Sequence, residues 1–405
     1  MKRKLIENNQ EKRRFGSIRQ KSGNCFEAQY RHDGVRKSFT ARTYEAAATK
    51  LDKIELEIQQ DSHHADSSMP LRDWLTHWLD VYILPTTAIS TYSQYSNYCN
   101  NHVIPKLGSL PLRKVTVDTV QKFFNEKAVS GRLDGKEGGL SLKTLRNLRS
   151  ILSEAFVQAI ADSKMSYNPI SGLRLAKQPA PRMRVLTKAE QDAVEKTAEA
   201  STKTNALGIV IDLNLGLRLG ELLGLQWNSV YLDVPTPYID VKRQLVRQYN
   251  ANKKESGTTI IRGGEKTNLV LKEVLKSAAS YRRLYLPNFV ADHFRKIKDW
   301  QDDMGREFGN GYNTLGFVFC SELGDVFDPR TYTDIFYRIV KAAGVNNANF
   351  HCMRHTFASR LAERKVDPAT IAKLLGHESP SFTLDRYVHS SDDQILEVAG
   401  SFDRN

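Results

Sequence analysis

The chain has 405 residues, a formal net charge of +13 and a pI of about 9.4. This length exceeds what one ordinary hydrophobic core supports, so we expect two or three domains. The excess of basic residues indicates a polyanionic partner, although it does not indicate a fold.

Several other classes of protein are disfavoured by the same composition. The four cysteines form no Cys-x-x-Cys pair, so their spacing predicts neither a zinc site nor a disulfide framework. The N-terminus is charged but has no apolar run behind it, so we expect no signal peptide. No apolar run approaches the ~20 residues that cross a bilayer. We therefore expect a cytoplasmic protein with no membrane partner.

The N-terminal segment combines a strong positive charge with a hairpin pattern. Residues 1–42 hold twelve Lys and Arg but four Asp and Glu, so eight of the excess charges lie there. Short strand patterns before and after Asp33-Gly34, then a helix from about Thr43, predict a three-stranded sheet plus a helix. One sheet face is expected to enter a DNA groove, as in β-ribbon proteins; its residues are Arg19, Gln29, Arg31, Arg36 and Lys37. A solvated basic face is the alternative.

Residues 69–175 follow a helical pattern after a polar linker. Pro85 is expected to end the first helix, and residues 105–108 to form a short loop. The aromatic residues at helical spacing predict a core rather than a base-stacking platform. The last helix carries a basic stripe that is expected to lie on DNA phosphates or, alternatively, in solvent; it consists of Lys143, Arg146 and Arg149.

A basic, proline-containing linker is predicted at residues 176–186, and Arg182 within it is a candidate DNA-binding residue. Thr187 and Glu190 then have the spacing of a capping box, which predicts that a new domain starts at residue 187. Further along, an apolar helix from Ala206 is expected to end at Gly216. Arg218 therefore falls at a break between helices, where Glu221 can orient it or simply form a structural pair with it.

A group of residues near the C-terminus carries the chemistry. Residues 350–358 start a helix on which His351 and Arg354 are expected to point one way, while His355 shares neither face. Metal binding is disfavoured, because no His-Glu-x-x-His frame is present. Leu374-Leu375-Gly376-His377 predicts a helix closed by glycine, which presents His377 at its end. Tyr387 follows ten residues later.

Two fixed cations, proton-transfer groups and a nucleophile that needs no metal suit phosphodiester transfer through a covalent intermediate. The order and spacing of these residues closely resemble the tyrosine recombinases, the integrases of phages and conjugative transposons. The resemblance implies a multidomain, mainly α fold with small β elements. It implies an arm-type DNA-binding domain at 1–64, a helical core-binding domain at 69–175, a mixed α/β catalytic domain at 187–390 and a C-terminal tail at 391–405.

The resemblance also implies a catalytic lysine. Residues 236–286 read as a small β-region, and Lys276-Ser277-Ala278-Ala279-Ser280-Tyr281-Arg282 resembles the β-hairpin lysine motif of the recombinases. Lys276 is expected at the hairpin tip, from which it can reach DNA and protonate a leaving alkoxide. Leu275 stands where the family usually has proline. Lys266 is the rival candidate, and a surface lysine without a role is the remaining interpretation.

By this resemblance, Tyr387 attacks a scissile phosphate and forms a 3′-phosphotyrosyl link. Arg218 and Arg354 hold the non-bridging oxygens, and Lys276 protonates the leaving oxygen. His351 accepts the tyrosine proton or holds the phosphate, and His377 donates to it. No cofactor is implied, because the phosphotyrosine conserves the bond energy.

The resemblance implies core and arm sites on double-stranded DNA as partners, a homotetramer on that DNA, and accessory excision or DNA-bending proteins. The tail at 391–405 is expected to dock on a neighbouring protomer. A conjugative transposon is the expected mobile element, and a phage is the alternative. A type IB topoisomerase and a non-catalytic DNA-binding regulator are the other functions that the sequence leaves open.

Overall fold

The computed structural model describes residues 16–22, 25–32, 35–62, 68–176, 183–251, 253, 255–273 and 281–377. The chain divides into two compact units, Met1–Gln178 and Pro179–Asn405. The first unit contains two separate apolar cores, one in the N-terminal sheet and its helix and one among the helices that follow. The second unit has one large core and a small apolar cluster that includes Ile371 and Leu375.

Among the described residues of the first unit, three strands precede seven α-helical segments. The strands are β1 (Ser17–Ser22), β2 (Cys25–His32) and β3 (Val35–Ala41). The helices are α1 (Tyr44–Ser62), α2 (Leu71–Trp78), α3 (Leu84–Thr86), α4 (Ile89–Tyr98), α5 (Ile104–Leu107), α6 (Val117–Ser130) and α7 (Leu142–Ala161).

The described part of the second unit combines helices with two small sheets. The helices are α8 (Lys188–Glu199), α9 (Leu207–Leu215), α10 (Leu219–Leu223), α11 (Asn288–Phe308), α12 (Pro329–Ala342), α13 (His351–Glu363) and α14 (Pro368–Leu375). The strands are β4 (Val230–Tyr231), β5 (Tyr238–Val241), β6 (Gln244–Tyr249), β7 (Thr258–Arg262), β8 (Thr267–Lys272) and β9 (Arg282–Tyr285).

The predicted N-terminal sheet is present, with strand order β1-β2-β3 and antiparallel pairing. Its inner face packs on α1 through Ala28 and Leu51, which are fully buried. In the register, Arg31 pairs with Arg36, whereas Lys37 pairs with Tyr30. The prediction that Lys37 shares a face with Arg36 is therefore wrong, because successive residues of a strand point to opposite sides.

In the helical part of the first unit, the helix that contains Pro85 ends close to the predicted place, whereas Pro105 does not cause the predicted break. A π-helical turn, Leu79–Ile83, connects α2 to α3, which contains Pro85, and a second, Cys99–Val103, leads into α5, which contains Pro105. Proline lacks the N–H that an α-helical turn uses, and a π turn shifts the hydrogen bonds by one residue. Residues 105–107 are accordingly helical, so the predicted loop is wrong, and the helix with Pro85 ends one residue later, at Thr86.

Helix α7 forms one side of the helical core. Leu145, Leu148 and Phe156 are at most 5% exposed. The indole Nε1 of Trp74 donates to the Ala155 carbonyl at 3.1 Å, which fixes α2 on α7. The apolar side of α7 is therefore used for packing, and the opposite side carries its charged residues.

The single β-region expected in the second unit is two sheets, with orders β4-β5-β9 and β6-β8-β7. Helix α10 lies directly on the main chain of β6. A Cβ atom at Gly224 would be 2.8 Å from the Gln244 Cα, and one at Gly220 would be 2.9 Å from the Leu245 carbonyl oxygen. Glycine at these two positions, one within α10 and one at its end, therefore permits a close approach of helix and strand. This approach sets the position of Arg218, the residue that directly precedes α10.

Two kinds of feature are absent from the described ranges. No helix there is both long and apolar enough to cross a bilayer. No group of three or more His, Cys, Asp and Glu side chains in those ranges has the arrangement of a metal site.

Candidate active site

Arg218 stands where two helices meet, as predicted. Helix α9 ends at Leu215, and Gly216 follows in a left-handed conformation with φ of 62° and ψ of 38°. A side chain at Gly216 would be strained at this φ and would collide with the ring of Phe357. Arg218 is then extended, as the N-cap residue of α10. The turn therefore fixes the point at which the guanidinium leaves the main chain.

Glu221 holds the Arg218 side chain in place. Its carboxylate accepts the Arg218 main-chain N–H at 3.0 Å and the Nη1 donor at 2.7 Å, so the ion pair expected from the sequence is present. The Arg218 side chain is 38% exposed, whereas that of Glu221 is 2% exposed. A buried carboxylate thus anchors a guanidinium that remains accessible to an anion.

The main-chain carbonyls at the C-terminal end of α14 accept hydrogen bonds from both predicted phosphate-binding arginines, Arg218 and Arg354. Arg218 Nη2 donates to the Gly376 carbonyl at 3.0 Å. Arg354 Nη2 donates to the Leu375 carbonyl, and its Nη1 donates to the Gly216 carbonyl at 2.7 Å. Carbonyls in the last turn of a helix lack partners within the helix and carry the negative end of its dipole. This helix end therefore brings together two cations that are far apart in the sequence.

Arg282 is a third arginine at the same helix end, and it is not among the predicted site residues. Its Nε donates to the Leu374 carbonyl at 2.6 Å. Its Nη1 and Nη2 donate to the two carboxylate oxygens of Glu221 at 3.2 and 2.8 Å. In β9, Arg282 and Leu284 are buried while their neighbours are exposed. An arginine at an inward position of a strand requires an acidic partner, and that signal was available in the sequence.

The ionisation of Glu221 follows from these contacts. Burial alone would raise the pKa of the Glu221 carboxyl, but Arg282 and then Arg218 outweigh it and lower that pKa to about 2. Glu221 is therefore ionised in the folded protein over the whole physiological range. One carboxylate and two guanidiniums form a cluster with excess positive charge, which suits an anionic ligand.

Replacing Glu221 with glutamine should destabilise the fold, because it leaves two arginines without their shared buried carboxylate. We expect a loss of about 3–5 kcal/mol in the free energy of unfolding at pH 7. Since the folded pKa is lowered, the stabilisation by Glu221 is complete above about pH 4.5 and is lost as the pH falls towards 2. Urea unfolding of wild type and Glu221→Gln at several pH values measures this difference, which should shrink below pH 4.5.

An exposed carboxylate provides the control for this comparison. Asp302 pairs with Lys298 on the surface of α11. Asp302→Asn should change the free energy of unfolding by less than about 1 kcal/mol, because solvent screens the pair. A Glu221→Gln variant that is as stable as Asp302→Asn would contradict the role of Glu221.

The two histidines of α13 contact each other. The helix starts at His351, as predicted, and the ring centroids of His351 and His355 are 4.5 Å apart with the rings nearly perpendicular. The prediction that His355 lies on a different face is wrong, because residues four apart are neighbours on a helix. His351 is exposed, His355 is 8% exposed and Arg354 is 2% exposed.

His377 directly follows the helix end that binds the arginines. Gly376 closes α14 with φ of 66° and ψ of 46°, which confirms the predicted glycine cap. The main-chain N–H of His377 donates to the Ala372 carbonyl at 2.9 Å. Arg218, Arg354 and His377 are thus associated with the same short segment of main chain.

A buried carboxyl group lies near these cations. Asp212 in α9 is fully buried, and both of its carboxyl oxygens lack a hydrogen-bond partner among the described residues. Burial raises the pKa of Asp212 well above its usual value, and the charge of Arg354 opposes this only in part. Its helix was expected to be apolar, so Asp212 is not among the predicted site residues.

Other predicted site residues lie outside the described residues. Lys276, Tyr387, Arg182 and the tail at 391–405 belong to this group. The rival lysine, Lys266, is exposed between β7 and β8. The strands on either side of Lys276, β8 and β9, belong to different sheets, so the prediction that these two strands form one hairpin is wrong. The choice between Lys276 and Lys266 stays a prediction.

The basic residues predicted to contact DNA differ in their surroundings. On the N-terminal sheet, Arg19 donates to Glu27 at 2.8 and 2.6 Å, and Arg36 donates to Gln29. Arg31 is exposed beside Arg36. The α7 stripe is exposed along one side of the helix, and within the described part of the chain its members form no ion pair; they are Lys143, Arg146 and Arg149.

Comparisons with known proteins connect this geometry to a family. The sequence profile of the phage integrase family matches residues 184–394, and that of the phage integrase N-terminal SAM-like domain matches residues 71–128. The chain belongs to the phage integrase family. It is therefore a tyrosine-type site-specific DNA recombinase, as its motifs predicted.

Similar sequences in this family include bacterial recombinases. A tyrosine recombinase XerC-like protein of Caldanaerobacter subterraneus is 25% identical over 364 residues, which cover 88% of this chain and 88% of the relative. An integrase of Streptomyces ambofaciens is 27% identical and covers 86% of this chain and 83% of the relative. The similarity thus extends well beyond the catalytic motifs.

Solved structures of the family share the fold of this chain. The integrase of transposon Tn1549, in complex with a circular intermediate DNA, matches with a TM-score of 0.63 and 22% identity, over 83% of this chain and 100% of that one. A lambda integrase tetramer bound to a Holliday junction matches with a TM-score of 0.57 and 20% identity, over 91% and 97%. The predicted fold class is confirmed, including the N-terminal three-stranded sheet.

Proposed function

We propose that this family member cuts and rejoins double-stranded DNA for a mobile genetic element through a 3′-phosphotyrosyl intermediate. The observation that carries the proposal is the meeting of Arg218 and Arg354 at the end of α14, next to His377. Two guanidiniums held by hydrogen bonds can stabilise the charge that develops on the non-bridging oxygens of a phosphodiester. No bound nucleotide is needed to drive a reaction that keeps the phosphoester bond energy.

In the first step, the phenol oxygen of Tyr387 attacks the scissile phosphorus. The bond between phosphorus and the 5′ oxygen breaks, and Lys276 protonates that oxygen so that it leaves as a hydroxyl. His351 accepts the proton of Tyr387, and His377 donates a hydrogen bond to the phosphate. In the second step, the 5′-hydroxyl of a partner duplex attacks the phosphotyrosine, which releases the tyrosine and completes strand exchange.

The test is the capture of the intermediate. A duplex nicked next to the scissile phosphate loses a short fragment on cleavage, so rejoining is prevented and the covalent complex accumulates. Incubation of the full chain with such duplexes, taken from the ends of the surrounding element, should give an adduct that survives SDS. Proteolysis and mass spectrometry should then place the nucleotide on Tyr387. Tight DNA binding without an adduct would favour a non-catalytic regulator.

We assign the remaining DNA contacts to the other predicted domains. The core-binding domain at 69–175 and the linker at 176–186 would hold core sites through the α7 stripe and Arg182. The arm-type domain at 1–64 would use Arg31 and Arg36, with Arg19 partly neutralised by Glu27. Lys37, on the opposite face from Arg36, would contact DNA only at the edge of the sheet.

The α7 stripe gives a prediction on salt dependence. Changing Lys143, Arg146 and Arg149 together to glutamine should weaken DNA binding at all sequences alike. The slope of log K against log salt should become shallower by about 0.9 for each phosphate that the variant no longer neutralises. A matched control changes Lys188, Lys298 and Arg306 to glutamine; each of these is already paired with an acid. Fluorescence anisotropy that gave both triple variants the same slope would contradict the assignment.

We further propose assembly of four protomers on DNA, with the tail at 391–405 docking on a neighbour, and regulation by accessory excision or DNA-bending proteins. The lambda integrase tetramer on a Holliday junction supports the first point by its similar fold. A conjugative transposon is the element that we favour, since the Tn1549 integrase shares the fold. Such an enzyme would act in the cytoplasm, where the element's DNA is located.

A further inference from the structure

We propose that Arg282 is a positioning residue for DNA cleavage: it holds Glu221, and through Glu221 the phosphate-binding Arg218, against the C-terminal end of α14. This inference rests on the proposed function. Arg282 itself is 4% exposed at its side chain and is not expected to touch DNA. Its effect would be exerted through Arg218 and through the helix end that precedes His377.

Arg282 would act on Arg218 first through the carboxylate of Glu221. Its Oε2 atom accepts Arg282 Nη2 at 2.8 Å and the main-chain N–H of Arg218 at 3.0 Å, while Oε1 accepts Arg218 Nη1 at 2.7 Å and Arg282 Nη1 at 3.2 Å. Arg282 thus contacts both oxygens of the Glu221 carboxylate, and the side chain of Arg218 contacts one of them. Without Arg282, Arg218 would be the one remaining cation that contacts this buried anion among the described residues. Glu221 would then hold the guanidinium of Arg218 more closely and compete with the phosphate for it.

The second route runs through the end of α14. Three consecutive carbonyls there each accept from a different arginine: Leu374 from Arg282, Leu375 from Arg354 and Gly376 from Arg218. The carbonyl of Leu374 would lose this partner in the absence of Arg282. The last turn of α14 sets the starting point of His377, so its orientation affects a group assigned to the phosphate.

The neighbouring arginine on the same strand provides a matched control. Arg283 points to the opposite side of β9, is 46% exposed and pairs with Asp240 at 2.9 Å. Its guanidinium also lies 3.8 Å from the ring centroid of Tyr238. Arg283 therefore has the same charge and a comparable pair, but within the described ranges its guanidinium donates to Asp240 and not to Glu221 or α14.

The experiment compares Arg282→Met, Arg282→Lys and Arg283→Met on nicked duplexes, with single-turnover cleavage at saturating protein, DNA affinity and urea unfolding measured for each. Arg282→Met should cleave about 10–100-fold more slowly, with DNA affinity within about twofold of wild type. Arg282→Lys should lie between Arg282→Met and wild type, since an ammonium keeps the charge near Glu221 but cannot form the forked contact. Arg283→Met should cleave at the wild-type rate.

A second control distinguishes the proposed positioning role of Arg282 from a purely structural role. Arg360 in α13 donates to the Leu186 carbonyl at 2.6 Å and to Gln191 at 3.1 Å, and neither partner belongs to α14. Arg360→Met should lose stability yet keep the cleavage rate. The inference is overturned if folded Arg282→Met cleaves like wild type, if Arg360→Met is slowed equally, or if Arg282→Lys is no faster than Arg282→Met.

Two further outcomes are also decisive. If Arg282→Met does not fold, Arg282→Lys decides alone: a rate at least about fivefold below wild type supports the inference, and a wild-type rate overturns it. If wild type itself forms no adduct with the duplexes, the proposed function fails. If wild type forms the adduct and the Arg282 variant reacts equally well, only the inference about Arg282 fails.

Discussion

Replacing Tyr387 with phenylalanine is expected to abolish the covalent protein–DNA adduct. The substitution removes one oxygen atom and leaves the charge of the protein unchanged. Without the phenol there is no nucleophile for the phosphorus, whatever the arginines contribute to the transition state. DNA affinity should stay within about twofold of wild type, because phosphate contacts from Lys and Arg dominate it. Gel electrophoresis in SDS and fluorescence anisotropy measure the two quantities.

A second tyrosine provides the control for this prediction. Tyr337 in α12 is 47% exposed, so Tyr337→Phe removes the same atom without disturbing a core. Its adduct yield should equal that of wild type. An adduct that persists in Tyr387→Phe would show that another tyrosine is the nucleophile, and the site would have to be reassigned.

Replacing Arg354 with methionine is expected to slow DNA cleavage by about 10²–10³-fold, as the loss of one donor to a developing oxyanion does in other enzymes. The same change should lower stability, because the carbonyls of Gly216 and Leu375 lose their donor. Two unsatisfied buried acceptors cost about 2–6 kcal/mol in the free energy of unfolding. Single-turnover cleavage and urea unfolding on the same preparation measure both effects.

The two effects of Arg354→Met are separated by Arg360→Met on the same helix. Arg360 also donates to a main-chain carbonyl, at Leu186, so its loss should destabilise the protein. Its hydrogen bonds within the described chain do not involve α14, so cleavage at a temperature where the variant is folded should be unchanged. If the two variants were slowed to the same extent, the loss of activity would be attributable to loss of stability, and Arg354 would have no special role.

The local features of the second unit could be predicted from the sequence because each is encoded by a few adjacent residues. The capping box at Thr187 and Glu190 and the glycine cap at Gly376 both formed as expected. The break at Gly216 also formed, since glycine tolerates its left-handed conformation at low cost. These signals depend on side-chain size and hydrogen bonding within one or two turns.

The errors concern the periodicity of neighbouring positions and the way in which a helix accommodates proline. Lys37 lies on the opposite face from Arg36, because adjacent residues of a strand alternate between the two faces. Pro105 was expected to break a helix, but it lies in α5, directly after a π-helical turn. His351 and His355 are neighbours, because side chains four residues apart lie on the same side of a helix.

The sequence by itself determined the family, the order of the candidate catalytic residues and the helix ends that present them, because these follow from short motifs. Only the tertiary structure decided which groups Arg282 contacts. Its partners, Glu221 and the Leu374 carbonyl, lie 61 and 92 residues away along the chain. The fold brings them together because a helix end with unsatisfied carbonyls and a buried carboxylate both need cations, and one guanidinium on an inward strand position meets both needs.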